Sequence, residues 1–193
     1  MLELINDILA MSKIEAGRTT LHPMEVDLYR LLDNIEAMLQ LTAQRKALTL
    51  VFERSPSVPQ WIQADGGKLR QVLINLLSNA LKFTHQGYVI LQVSVTAMPN
   101  TPERGAWKNQ QLLQFAVEDS GSGIAATEMD EIFVPFRQTT TGRNSFQGTG
   151  LGLAISQTFV RLMGGEIQLK SHVNQGSLFY FSIPVSTITQ ELT

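Results

Sequence analysis

Asn75, Asn79 and Lys82 recur at spacings of four and three residues along the otherwise apolar run from Leu69 to Thr84. At helical periodicity Leu69, Val72, Leu73, Leu76, Ala80 and Phe83 share one stripe, and Ile74, Leu77 and Leu81 add a second apolar side. Gln71, Asn75, Ser78, Asn79 and Lys82 remain as a polar strip. Such groups are costly to bury unpaired, so the strip either faces solvent or lines something polar. A second chemical signal lies downstream. Gly148, Gly150 and Gly152 alternate immediately before a predicted helix, where glycines admit close backbone approach and free amides favour an anion such as phosphate. Taken alone, that segment also fits a flexible loop that happens to end at a helix. Two other phosphate loops are excluded, because neither Gly-x-x-x-x-Gly-Lys-Ser/Thr nor Gly-x-Gly-x-x-Gly after a first strand occurs. The His-Arg-Asp and Asp-Phe-Gly signatures of protein kinases are absent too.

The elements that must position these residues follow in order. Met1 to about Ala16 reads as a helix burying Leu2, Ile5, Ile8, Leu9 and Ser12, with Gly17 as C-cap. Little nearby looks built to receive it, which suggests half of a helical hairpin. A strand at Met24–Leu28 precedes a helix over Leu28–Arg45 capped by Asp27. Strands at Leu48–Glu53 and Trp61–Ala64 follow, and Asp65 sits at the entry to the central helix. Tyr88–Ala97 and Leu112–Glu118 read as a β-hairpin with a long polar tip. Ile132–Phe136 is an apolar patch, and Arg137–Gln147 a polar, mobile loop. A helix running to Met163 stops at Gly164-Gly165, before strands at Glu166–Ser171 and Ser177–Pro184. Ser186–Thr193 reads as a tail.

Bulk properties narrow the class. A hydrophobic share of 44% with 17% charged residues describes a globular chain rather than a disordered one. A net charge of -2 argues against a nucleic-acid surface. The lack of cysteine rules out disulfides and thiolate metal sites and fits a reducing, cytoplasmic setting. No apolar run reaches membrane-span length.

The motifs together resemble one family. Asn75-x-x-x-Asn79-Ala80-x-Lys82-Phe83-Thr84 resembles the N box of sensor histidine kinases, and Asp119-x-Gly121-x-Gly123 their G1 box. Phe133-Val-Pro-Phe136 resembles the F box, Gly148-x-Gly150-x-Gly152 the G2 box, and Gly176-Ser-Leu-Phe-Tyr-Phe181 the last glycine segment. The opening Leu-Ile-Asn-Asp-Ile-Leu-Ala-Met-Ser-Lys-Ile-Glu-Ala-Gly resembles the second helix of the family's dimerisation and phosphotransfer hairpin. The resemblance implies a Bergerat-type two-layer α/β sandwich, with a mixed sheet, helices on one face and ATP between helices and lid. It divides the chain into a hairpin helix (1–20), a catalytic ATP-binding domain (21–186) and a tail or linker (187–193).

The same resemblance implies the roles. Asn79 would ligate Mg²⁺ and Asn75 would support the metal and phosphate waters. Lys82 would meet phosphate, with an ordinary surface lysine as the alternative. Phe83 would stack on adenine or belong to the core. Asp119 would accept the adenine amino hydrogen, unless it is a strand-end turn residue. Gly121, Gly123 and Ile124 would shape the base site. Gly148, Thr149, Gly150, Leu151 and Gly152 would cradle phosphates. Arg137 would reach the terminal phosphate, unless it is a solvated loop arginine, with Arg143 as a substitute and Gln138 as a weaker candidate. Phe133 and Phe136 read as lid-anchoring core residues.

The implied function is γ-phosphoryl transfer from MgATP to a histidine, then onward to a response regulator receiver domain, within a homodimeric parent that is soluble or membrane-anchored. None of His22, His85 and His172 sits in the family's acceptor motif, so the acceptor is expected on a hairpin helix outside this sequence, and self-phosphorylation is not expected. The competing reading is an ATP-hydrolysing clamp like gyrase, Hsp90 or MutL, which carries a water-activating glutamate where this chain has Asn75. A regulatory nucleotide-binding module is the third.

Overall fold

The computed structural model describes residues 2–96, 110–137 and 149–188, with the backbone alone at 2–4 and 6. Helix α1 (Leu2–Glu15) leads into strand β1 (Met24–Asp27), helix α2 (Leu28–Arg45) and strands β2 (Thr49–Arg54) and β3 (Trp61–Ala64). Helix α3 (Gly66–Phe83), strands β4 (Tyr88–Thr96) and β5 (Gln110–Asp119), and a 3-10 turn at Ala126–Glu128 come next. Helix α4 (Gly152–Leu162) and strands β6 (Gln168–His172) and β7 (Gly176–Thr187) complete the order.

The strands form one seven-stranded sheet in the order β1-β3-β7-β5-β4-β2, with β6 pairing to β7. It is mixed as expected: β2 and β4 run parallel, and the other pairs antiparallel. Val89, Leu91 and Val93 alternate with Leu113, Phe115 and Val117 and with Phe179, Phe181, Ile183 and Val185 as the buried side of the sheet. These residues share one core with Leu32, Ile35, Leu69, Leu73, Leu76 and Ile155 from the three helices that cover that face. Alternation of period two in the strands and of three to four in the helices places every one of these side chains in a single layer. Phe115 and Phe181 stack at 5.1 Å between centroids at its centre.

Capping follows the sequence. Asp27 accepts from Arg30 N–H at 3.0 Å, and Asp65 accepts from Lys68 N–H at 3.0 Å, so each carboxylate fills a donor that a helix start leaves open. Gly17, at φ 64°, closes α1 with Gly17 N–H on Ile14 O and Arg18 N–H on Lys13 O, both at 2.9 Å.

Three expectations change. The face of α1 against the core carries Ala10, Met11 and Ile14 rather than Ile5, Ile8, Leu9 and Ser12. Ile5, Ile8 and Leu9 are instead 49%, 48% and 55% exposed. A helix with apolar residues on two sides can offer either one to the domain, and here Asp7, bonded to Thr149, selects the side that docks. Second, β7 runs on through Pro184 to Thr187, so Ser186 and Thr187 pair with β3 and β5 rather than forming a tail. Proline is tolerated because β6 pairs residues 176–180 and β3 pairs 186–187, leaving no ladder on that side of Pro184 among the described residues. Third, Phe136 is 69% exposed and is not core, whereas Phe133 does pack on the core. Phe136 takes φ 63° to bring its N–H onto Gly150 O at 2.9 Å, and that turn carries the ring outward.

Candidate functional site

The polar strip of α3 does not face open water along its length. Asn75 is half-buried and donates through Nδ2 to Ser156 Oγ of α4 at 2.9 Å, while Asn79 Nδ2 lies 3.5 Å from Asn75 Oδ1. Gly152, the first residue of α4, sits directly against Asn75: a Cβ there would lie 2.3 Å from Asn75 Oδ1. A side chain at 152 would therefore push the two helices apart, and glycine lets the amino end of α4 meet the asparagines. Free backbone amides at that end and two carboxamides on α3 thus share one place. Among the described residues no donor meets Asn79 Oδ1, which leaves a carboxamide oxygen available to a cation. No three His, Asp or Glu side chains among the described residues form a metal cage. The oxygen donors on offer suit a hard ion that completes its shell with water and phosphate.

Lys82 is half-buried one turn beyond Asn79, with Nζ 4.7 Å from the centroid of the Phe83 ring. Burial lowers its pKa, which marks an ammonium short of water. Phe83 leaves the buried stripe that the periodicity gave it and is partly exposed. Its carbonyl receives Ser122 N–H at 3.3 Å, tying the end of α3 to the turn after β5. Lys46 Nζ donates to Leu81 O at 2.6 Å and Lys82 O at 3.0 Å, satisfying carbonyls at that helix end.

Asp119 closes β5 and is buried, 7% exposed. Burial raises its pKa, against the opposing pull of N–H groups from Gly121 and Ser177 on its carboxylate. Gly121 N–H reaches Asp119 Oδ1 at 2.8 Å. The glycine is required, since a Cβ at 121 would lie 2.7 Å from both Asp119 Oδ1 and Phe83 O. Gly123 takes φ 65°, and Ile124 is partly buried against the core. The Asp119–Ile124 turn and the end of α3 are therefore one packed unit.

Thr149 Oγ accepts from Leu151 N–H at 3.1 Å and donates to Asp7 of α1 at 3.0 Å. Gly150, at φ 70°, backs onto residues 136 and 137. The Arg137 guanidinium, expected at a phosphate, instead pairs with Glu131 at 3.1 Å and is 53% exposed. A carboxylate six residues earlier meets one arm of the guanidinium. Gln138, Arg143 and Gly148 lie outside the described residues. Ser156 was missed in the sequence. No local signal could have found it, since a serine on a helix face carries no periodicity of its own and its partner Asn75 lies 81 residues away.

Residues 64–187 match the family described as histidine kinase-, DNA gyrase B-, and HSP90-like ATPase. The chain is similar to the aerobic respiration control sensor protein ArcB of Escherichia coli, at 36% identity over 98% of this chain and 23% of that protein. It is also similar to the circadian input-output histidine kinase CikA of Synechococcus elongatus, at 40% identity over 98% of this chain and 24% of that protein. Full-length ShkA, crystallised in complex with AMPPNP, matches with TM-score 0.79 and 32% identity over 99% of this chain and 37% of that one. The nucleotide-free catalytic domain of histidine kinase ThkA matches with TM-score 0.62 and 25% identity over 84% of this chain and 95% of that one. The chain thus spans a quarter or less of the curated relatives named here. With a seven-stranded mixed sheet, helices on one face and a matched region covering most of the chain, this protein belongs to the histidine kinase-, DNA gyrase B- and HSP90-like ATPase family.

Proposed function

We propose that residues 21–186 form the MgATP-binding catalytic domain of a sensor histidine kinase, preceded by one helix (1–20) of a dimerisation and phosphotransfer hairpin. The observation that carries this reading is the approach of Gly152 to Asn75, which joins the α3 amides to the start of α4. Asp119 and the end of α3 supply a second, drier end. Asn75 and Phe83 are eight residues apart on α3, about 12 Å along its axis. That is the scale of a nucleotide from terminal phosphates to base.

In this reading Asn79 ligates Mg²⁺, and Asn75 orients the surrounding water and phosphate oxygens. Lys82 neutralises phosphate charge, and the α4 amides with Thr149, Gly150, Leu151 and Gly152 receive the phosphates. Asp119 accepts from the adenine amino group, in a slot formed with Phe83, Gly121, Gly123 and Ile124. When bound, Mg²⁺ supplies charge neutralisation and alignment of the phosphates. The protein contributes orientation, fixed dipoles and exclusion of water. The bond from the γ-phosphorus to its bridging oxygen breaks as a bond to an imidazole nitrogen forms, and ADP leaves. Asn75 is an amide and cannot take a proton from water, which favours transfer over hydrolysis. The imidazole comes from a separate hairpin helix of the parent kinase, and a receiver domain of a response regulator accepts the phosphoryl group afterwards. The exposed Ile5, Ile8 and Leu9 face of α1 fits a helix made to be completed by others in a homodimeric parent.

The test mixes the chain with γ-labelled MgATP and a separately made hairpin bearing the acceptor histidine. Label should reach that histidine. Asn79→Ala, or removal of Mg²⁺ with a chelator, should lower the transfer at least about 100-fold, since both withdraw charge stabilisation of several kcal/mol. Undiminished transfer by Asn79→Ala would overturn the metal assignment, and steady phosphate release without transfer would overturn the reaction class.

A further inference from the structure

We propose that Ser171 of β6 is a positioning residue that sets base selectivity by holding the Asp119–Ile124 turn in register. Ser171 is 5% exposed, and its hydroxyl has three partners. It accepts from Ile124 N–H at 2.8 Å, donates to Gly176 O at 2.9 Å and lies 3.0 Å from Ser177 Oγ. A hydroxyl carries one hydrogen and two lone pairs, so these partners use its full capacity.

The backbone around it is packed just as closely. Asn174 N–H donates to Ser122 O at 2.7 Å. A Cβ on Gly123 would lie 2.0 Å from His172 O, and one on Gly176 would lie 1.8 Å from Asp119 O. The β6–β7 hairpin is therefore pressed against the turn that ends in Ile124, with no room for either strand to slide. Ser177 is also the register partner of Asp119 across β5 and β7, and its N–H favours the ionised carboxylate, so the segment that Ser171 braces is the one that borders Asp119. From β6 the link runs to both ends of the base slot: to Ile124 through its amide, and to Asp119 through Gly176 and Ser177.

The inference rests on the reading of Asp119 as the acceptor for an adenine amino group. Guanine presents an oxygen at the equivalent position, and a carboxylate rejects it. The ratio of ATP to GTP affinity therefore reports how well Asp119 is placed. Ser171→Ala leaves the Ile124 amide without its acceptor and loosens the hairpin against the turn, while the Asn174–Ser122 bond and every proposed ligand contact remain in the chain.

The experiment measures binding of MgATP and MgGTP to the 193-residue chain by calorimetry, alongside Tm and the transfer rate at saturating ATP. Ser171→Ala should reduce the ATP-over-GTP ratio about tenfold, through weaker ATP binding, with the saturated transfer rate unchanged. Ser171→Thr, which keeps the hydroxyl, should retain the ratio. If the alanine variant does not fold, Ser171→Cys, close in size but a weaker hydrogen-bond partner, should show the same fall in ratio. An unchanged ratio in Ser171→Ala or Ser171→Cys, even with a lowered Tm, would reduce Ser171 to a stabilising residue and overturn the inference. A wild-type chain that binds neither nucleotide would remove the functional reading itself and this inference with it.

Discussion

Gly152→Ala isolates the contact on which the proposed site depends. Gly152 starts a helix, and no left-handed backbone constraint applies to it. Alanine would on propensity alone stabilise the chain by up to about 1 kcal/mol. The added methyl would lie 2.3 Å from Asn75 Oδ1, a distance that real side chains do not tolerate. Overpacking of this kind costs about 1–3 kcal/mol. The two effects leave a net loss between zero and about 3 kcal/mol, a fall in Tm of no more than about 12 °C for a chain of this size. Affinity should suffer more than stability. Asn75 must leave Ser156 to make room, which on the proposed reading would remove a hydrogen bond of its carboxamide to charged phosphates and their water. Such a bond is worth about 1.5–3 kcal/mol, equivalent to about 10–150-fold in Kd. Calorimetry with MgATP and thermal unfolding on the same samples separate the two effects. The double variant Gly152→Ala with Asn75→Ala gives the methyl its space, so its loss of stability should be smaller than the sum of the single losses, while MgATP binding stays weak. Wild-type affinity in Gly152→Ala, or strict additivity in the double variant, would refute the reasoning.

Two further outcomes follow from groups at the other end of α3. Burial raises the Asp119 pKa above its ordinary 3.8, so its stabilising contribution is fully present below 3.8 and is lost as pH rises through the raised value. The Tm of the wild type minus that of Asp119→Asn should therefore shrink across that window, by about 2–4 °C for each kcal/mol involved. A difference that is flat or growing with pH would contradict the burial argument. Lys46→Ala removes the donor to Leu81 O and Lys82 O and should cost about 1–3 kcal/mol, read as a lower midpoint in urea. An unchanged midpoint would mean that water replaces the ammonium without loss.

The sequence by itself determined the elements and the chemistry on offer. Period-two alternation in β4 and β5 and the double apolar face of α3 could be read directly, because local periodicity is a property of the chain alone. Capping by Asp27, Asp65 and Gly17 was legible for the same reason, since each acts on residues within five positions of itself. The motif glycines could be located, but why each had to be glycine could not. Gly152 is small because of Asn75, Gly121 because of Phe83 O, and Gly123 because of His172 O, each partner lying tens of residues away. The tertiary structure alone decided which side of α1 docks, since Ile5 and Ile8 are as apolar as Met11 and Ile14. It likewise decided that Arg137 pairs with Glu131, and that Ser156 and Ser171 hold positions no local pattern advertises. Serine carries no periodicity signal, and its importance appears only when a distant N–H or carboxamide is brought within 3 Å of its hydroxyl. Packing makes those meetings, and packing is a property of the whole sheet and its helices.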